Sequence, residues 1–147
     1  MAEQLSDRYS HLDVEKKIYQ WWMDNNAFAS EDQSTKPPYA ITLPPPNVTG
    51  HLHIGHALDF SVQDCLIRWK RMLGFNAMWM PGVDHAGIAT QSVVEKMLWK
   101  EKKISRQELG REKFLEEVWA WKHKFGDRIT EQMKGMGFSI DWDRLRF

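Results

Sequence analysis

The sequence predicts an α/β fold organised around a parallel β-α-β unit, and three observations lead there. Residues 39–43 (YAITL) form a short β-rich run stopped by Pro44, Pro45 and Pro46, which cannot donate to a sheet ladder. A helix-periodic stretch opens near His53, with Leu58, Val62, Cys65 or Leu66, Trp69 and Leu73 at three- and four-residue steps. Residues 75–80 then form a second apolar run closed by Pro81 and Gly82. Strand, helix and strand in this order imply a right-handed crossover within a parallel sheet.

The remaining elements follow in chain order. From Leu12 the pattern is helical, with Asp13 as the expected N-cap and Val14, Ile18, Trp21 and Trp22 as an apolar face. Residues 30–38 are polar and end in two prolines, which reads as a linker. The division expected is therefore an amino-terminal helical extension over 1–36 and an α/β body over 37–147. Arg68, Lys70 and Arg71 in the last turns of the central helix suit its dipole, and Gly74 is its stop. A further helix is expected over 88–100. Ser105 and Glu108 fit a capping box. Phe114, Val118, Trp121, Phe125, Ile129 and Met133 then trace a long amphipathic helix, with Gly110 and Gly126 as candidate breaks. The sequence after Asp143 contains no closing strand. Two parallel strands make an incomplete sheet, so the chain reads as part of a longer protein with an edge prone to self-association.

Composition removes several function classes. Lys plus Arg equals Asp plus Glu at 20 each, so overall charge supplies no general attraction to nucleic acid; any RNA contact must come from a local patch or from regions outside this chain. Cys65 is the only cysteine, which excludes an internal disulfide and a cysteine-based zinc site. Residues 1–8 hold charge and no apolar run, so no leader is expected, and no stretch approaches membrane-spanning length; the cytoplasm is the expected location. Eight tryptophans are many for 147 residues and demand burial or a partner surface.

The chemistry concentrates in His53, Ile54, Gly55 and His56, at the mouth of a helix that follows a strand and a proline-rich loop. Free backbone N–H groups and the positive dipole end make such a terminus attractive to phosphate. Gly55 leaves the backbone open to a flat adenine or ribose. The two histidines share one face and can both donate to phosphate oxygens. Taken alone, a pair with this spacing is more often a surface or capping feature; the strand, prolines, Asn47 and turn that precede it favour the functional reading. Asp84 stands just past the second strand, where ligands of parallel α/β sheets bind, against the ordinary alternative of a loop-capping aspartate.

Residues 44–59 (PPPNVTGHLHIGHALD) resemble the HIGH segment of class I aminoacyl-tRNA synthetases, in the form carried by the valyl family. Residues 80–91 (MPGVDHAGIATQ) are similar to that family's PGTDHAGIATQ block, with Val83 where Thr is usual, and residues 141–144 resemble its DWDR segment. The resemblance implies the first half of a Rossmann-like catalytic domain, truncated before an editing insertion. It implies ATP-dependent activation of valine to valyl-adenylate and transfer to tRNA(Val), with ATP and Mg2+ as co-substrates and no protein-ligated metal. By the same resemblance, His53 and His56 contact the ATP phosphates as catalytic donors, and Pro46, Asn47 and Gly55 complete the ATP site. Pro45, Asn47 and Asp84 hold the amino acid, with Asp84 on its α-ammonium. The full-length parent is expected to be monomeric.

The second class I signature, close to Lys-Met-Ser-Lys-Ser, has no match here; Lys96 and Met97 continue into Leu98 and Trp99. The chain alone is therefore expected to be weak or inactive. An editing insertion, an anticodon-binding bundle and a tail are implied beyond Phe147, and editing is what a valine pocket needs against near-isosteric threonine. Two other readings compete: a non-tRNA nucleotidylyltransferase sharing the H-x-G-H helix, and an idle nucleotide-binding module. Elsewhere the ordinary reading is preferred. His85 is a packing or turn residue, His51 and His53 are not a metal pair, and Lys102, Lys103 and Arg106 form a solvated cluster. Trp119 and Trp121 belong to helix packing, and Met72, Met78 and Met80 are core filler.

Overall fold

The computed structural model describes residues 7–147; most of the segment assessed above for a leader lies outside them. In order, the elements are α1 (His11–Asp24), β1 (Pro38–Thr42), α2 (Ile54–Met72), β2 (Asn76–Met80), α3 (Gly87–Lys102), α4 (Arg106–Leu109), α5 (Arg111–Gly135) and a 3-10 turn (Trp142–Arg144). The two strands are parallel, in register from Pro38 opposite Asn76 to Thr42 opposite Met80, and α2 makes the crossover. The expected β-α-β unit is present.

Its edges differ from expectation. The segment after α5 runs along the outer side of β2: the Asp141 N–H donates to the Trp79 carbonyl, Val83 N–H to Arg146 O, and Arg146 N–H to Pro81 O. A parallel bridge between Gly82 and Arg146 results. That side of β2 is thus occupied by irregular chain where the sequence pattern had suggested none.

The buried face of α2 is also not the one that hydrophobicity selects. Phe60, Asp64 and Ile67 are its buried residues, whereas Leu58, Val62, Leu66, Trp69 and Leu73 are exposed. A carboxylate can sit in the buried stripe because its needs are met: the Ser139 N–H and hydroxyl both donate to Asp64 Oδ1, and Arg68 Nε donates to Oδ2 at 2.8 Å. Arg71 extends the stripe, donating to Ser139 O and Phe28 O. Burial pulls its guanidinium down to about 10, against the opposing pull of Asp64, so it remains a cation at neutral pH. A stripe containing Asp and Arg carries no apolar period, which is why pattern reading passes over it.

The main core joins Leu43, Val48, Phe60, Ile67, Trp79, Ile129, Met133 and Ile140. A smaller cluster of Val94, Leu98 and Phe114 packs α3 on α5. The capping box at Ser105 and Glu108 forms as read. Gly110, at φ +82°, separates α4 from α5, but Gly126 lies inside a continuous α5. The α1 cap is Ser10, without a side-chain hydrogen bond; Asp13 lies in the first turn. Trp22 and Val14 are half-buried, while Ile18 and Trp21 are exposed; Tyr19 turns inward, its hydroxyl donating to Phe138 O. The 30–38 segment is tied down by Ser30, whose N–H and hydroxyl donate to the buried Asp141 carboxylate. Met72 is 79% exposed, so it is not core filler; Met78 and Met80 are half-buried.

Candidate functional site

Parallel register brings the carboxyl ends of β1 and β2 side by side, and both loops that leave them turn to the same end of the sheet. The proline loop after β1 and the Val83–Asp84 segment after β2 are joined backbone to backbone. Asp84 N–H donates to Pro46 O at 2.9 Å, and Val48 N–H donates to Asp84 O at 3.0 Å. Gly82 eases this approach: a Cβ there would lie 3.3 Å from Pro45 Cβ, so the proline would have to give by a few tenths of an ångström. Asn47 and Asp84, widely separated in sequence, become bridge partners. Val83, where the resembled block usually has Thr, points into the main core and is buried.

From Asn47 the chain turns into α2, and its first turn is locked by the histidines themselves. His53 is the N-cap: its Nδ1 accepts the Gly55 N–H at 3.1 Å. In return the His53 N–H donates to His56 Nδ1 at 3.2 Å, so the pair forms a capping box built from imidazoles. The rings lie 3.9 Å apart between centroids. Because both Nδ1 atoms accept, the proton of each neutral ring belongs on Nε2, which leaves two outward donors beside the helix terminus. Burial, and then the neighbouring His53, hold the His56 imidazolium below its ordinary range, with Asp59 offsetting part of the effect. Gly55 gains a second reason for lacking a side chain: a Cβ would stand 3.0 Å from His53 Cε1.

Asp84 is positioned independently. Its Oδ1 accepts the Ala86 N–H at 2.8 Å and contacts His85 Nδ1 at 3.1 Å. Those two bonds, the backbone one first, keep the carboxyl below its usual range. Ala86 adopts φ +45°, which turns the chain from Asp84 into α3. The carboxylate remains ionised and half exposed, facing solvent. His85 is exposed, with its ring edge-on to Phe147 at 6.0 Å.

Sequence reasoning missed what holds the histidine loop in place. Gln132 of α5 accepts the Leu52 N–H at 3.0 Å, and Trp121 Nε1 donates to Val48 O at 2.8 Å. Gly126 of α5 is buried against this loop, where a Cβ would make an ordinary contact with Val48 at 3.8 Å. No local signal marks this clamp, because its two bonds join residues 80 and 73 positions apart in the chain. Lys102 and Arg106 are engaged in ion pairs with Glu117 and Glu95, consistent with a structural surface.

A family profile described as tRNA synthetases class I (I, L, M and V) matches residues 17–147. The chain belongs to the class I tRNA synthetases. Among curated relatives it is 63% identical, over its whole length, to a valine–tRNA ligase of Bdellovibrio bacteriovorus. It is 51% identical to mitochondrial valine–tRNA ligase 1 of Arabidopsis thaliana over the same span, and 52% identical to the mitochondrial enzyme of Mus musculus over 97% of the chain. It spans only 13–16% of the length of these relatives. In structure it is similar to the Agrobacterium radiobacter K84 LeuRS of a ternary complex with tRNA and LeuAMS. The TM-score is 0.75 and the identity 20%, over 94% of this chain and 16% of that one, a likeness of fold. The expected Rossmann-like architecture of the class I synthetase catalytic domain is therefore shown. No helix among the described residues is long and apolar enough to cross a membrane.

Proposed function

We propose that this chain supplies the nucleotide and amino-acid half of a valine-activating site, within a protein that forms valyl-adenylate and transfers valine to tRNA(Val). The observation that carries the proposal is the backbone bridge between Asn47 and Asp84, which sets the Asp84 carboxylate beside the loop leading to His53 and His56. One end of the sheet thus offers a fixed anion for an α-ammonium and two imidazole donors for phosphate.

In the reaction, a valine carboxylate oxygen attacks the α-phosphorus of ATP. The bond to the bridging oxygen breaks, and that oxygen leaves with pyrophosphate. His53 and His56 would donate from Nε2 to oxygens that gain negative charge as the bond breaks, which lowers the barrier most where the donors are already oriented. The capping box supplies that orientation. A depressed His56 keeps the ring neutral, so it binds phosphate by directed hydrogen bonds rather than by a full charge. Pro46, Asn47 and Gly55 would border the nucleotide, and Pro45 and Asn47 the amino acid. Magnesium would enter this site carried by the triphosphate, its ligands being phosphate oxygens and water.

Valine-dependent exchange of labelled pyrophosphate into ATP tests the proposal, with isoleucine and threonine as competitors and a His53→Ala, His56→Ala chain as blank. Exchange above the blank that prefers valine supports it. Equal exchange with every amino acid, or with none present, would replace it by a general nucleotidylyl-transfer reading.

A further inference from the structure

We propose that His85 is a positioning residue for amino-acid binding: its ring holds one oxygen of the Asp84 carboxylate, so that the other is presented to the α-ammonium of the substrate. The inference rests on the functional reading above, which assigns that ammonium to Asp84, and adds the residue that aims the carboxylate.

The bonds to Asp84 are one-sided. Ala86 N–H donates to Oδ1 at 2.8 Å, and His85 Nδ1 lies 3.1 Å from the same atom. Among the described residues, both hydrogen bonds of this carboxylate fall on Oδ1, and its side chain is 46% exposed. Oδ2 is therefore the oxygen left for a ligand. The terminal torsion of an aspartate is soft and close to two-fold, so the Ala86 bond alone would let the group turn. A second donor on the same oxygen narrows that freedom, and a carboxylate already aimed loses less entropy when it takes a cation.

The contact also fixes the tautomer. An ionised carboxylate only accepts, so His85 Nδ1 must carry the proton. His53 and His56 are the opposite case, since their Nδ1 atoms accept from backbone N–H groups. Three histidines at one end of the sheet thus divide into two that point Nε2–H outward and one that points Nδ1–H at an acid.

The His85 side chain is 76% exposed, so its own loop does not hold the ring. Phe147 does, meeting it edge to face at 6.0 Å and 86°. The chain after α5 carries Phe147 there: Val83 N–H donates to Arg146 O at 3.0 Å, and Arg146 N–H to Pro81 O at 3.2 Å. From α5, Lys122 Nζ stands 4.3 Å from the centroid of the Phe147 ring, and the Trp119 ring lies 6.3 Å away. Trp119 is 53% exposed and rests on this terminal segment, whereas the sequence had suggested packing between helices. A line of contacts therefore runs from α5 through Phe147 and His85 to Asp84.

The test is valine affinity of the 147-residue chain in saturating ATP, for the parent and for His85→Ala and His85→Asn, with His85→Ala repeated in an Asp84→Asn background. Circular dichroism confirms folding. His85→Ala should weaken valine roughly fivefold, the loss of one charge-assisted hydrogen bond. His85→Asn, whose amide can donate from the place of Nδ1, should restore affinity to within about twofold. In the Asp84→Asn background His85→Ala should cost nothing further, because the charge that His85 aims is gone. Nitrogen NMR of the parent should find the neutral His85 ring protonated at Nδ1. Unchanged valine affinity in His85→Ala, no rescue by asparagine, or the same loss in the Asp84→Asn background overturns the inference and leaves the role of Asp84 standing. So does a ring protonated at Nε2, a result that needs no variant to fold. A parent chain that binds ATP but no valine removes the role of Asp84, and this inference with it.

Discussion

The His53 backbone N–H donates to His56 Nδ1 while His53 Nδ1 accepts from the Gly55 N–H, so a backbone donor fixes the orientation of each ring. Capping and phosphate donation are thereby carried by the same two rings, through different nitrogens. Substitution can separate the two roles.

Asparagine at position 53 can replace the cap acceptor but not an Nε2–H aimed outward. His53→Asn should therefore unfold within about 0.5 kcal/mol of the parent, whereas His53→Ala loses the cap and about 1 kcal/mol. Both should bind ATP at least several-fold more weakly. Thermal unfolding beside an ATP titration checks this; retained affinity in the asparagine variant would show that His53 is only a cap.

Gly55→Ala sets two effects of similar size against each other. Alanine gains about 1 kcal/mol of helix propensity, and displacing the His53 ring from its 3.0 Å approach forfeits a cap of about the same worth. Stability should change little while ATP affinity drops. A crystal structure of the variant with the His53 ring undisplaced would contradict the assignment.

The depressed His56 gives stability a pH dependence of known sign. Its folded-state value lies below the unfolded 6.5, so between the two the unfolded chain binds more protons and stability falls as pH drops below about 6.5. The loss stops once pH passes the folded value. Chemical denaturation between pH 7.5 and 5 should show this trend, reduced in His56→Asn, and the His56 ring protons should titrate below 6.5 by NMR.

Asp84→Asn keeps an oxygen for the Ala86 N–H but removes the charge. Folding should be preserved, and any valine binding should weaken tenfold or more while ATP binding persists. Equal loss for both ligands would mean that the residue acts through the loop and not on an ammonium group.

Trp121→Phe leaves the Val48 carbonyl without its donor, a cost of about 1–3 kcal/mol at a half-buried position. Because the same contact steadies the loop that leads to His53, ATP affinity should fall together with stability. An unchanged nucleotide affinity would show that the loop is held by Gln132 alone.

Much was legible in the sequence because local signals and chemistry coincided. Prolines after residues 39–43, Gly74 after the central helix and Ser105 with Glu108 each act over a few residues, so the elements formed close to where they were read. The positions of the histidine pair and Asp84 were legible for the same reason: helix start and strand end are places that short-range pattern marks. The burial of α2 was not legible. Its inward stripe of Phe60, Asp64 and Ile67 is stable only because Ser139 and Arg68 satisfy the carboxylate, and Ser139 comes from 75 residues away. Nor could sequence show that Trp121 and Gln132 of α5 clamp the histidine loop, that Asn47 and Asp84 are bridge partners, or that residues 141–146 run along β2. Side-chain chemistry is written residue by residue, but which polar groups find partners depends on chain-distant contacts, and those are decided by packing.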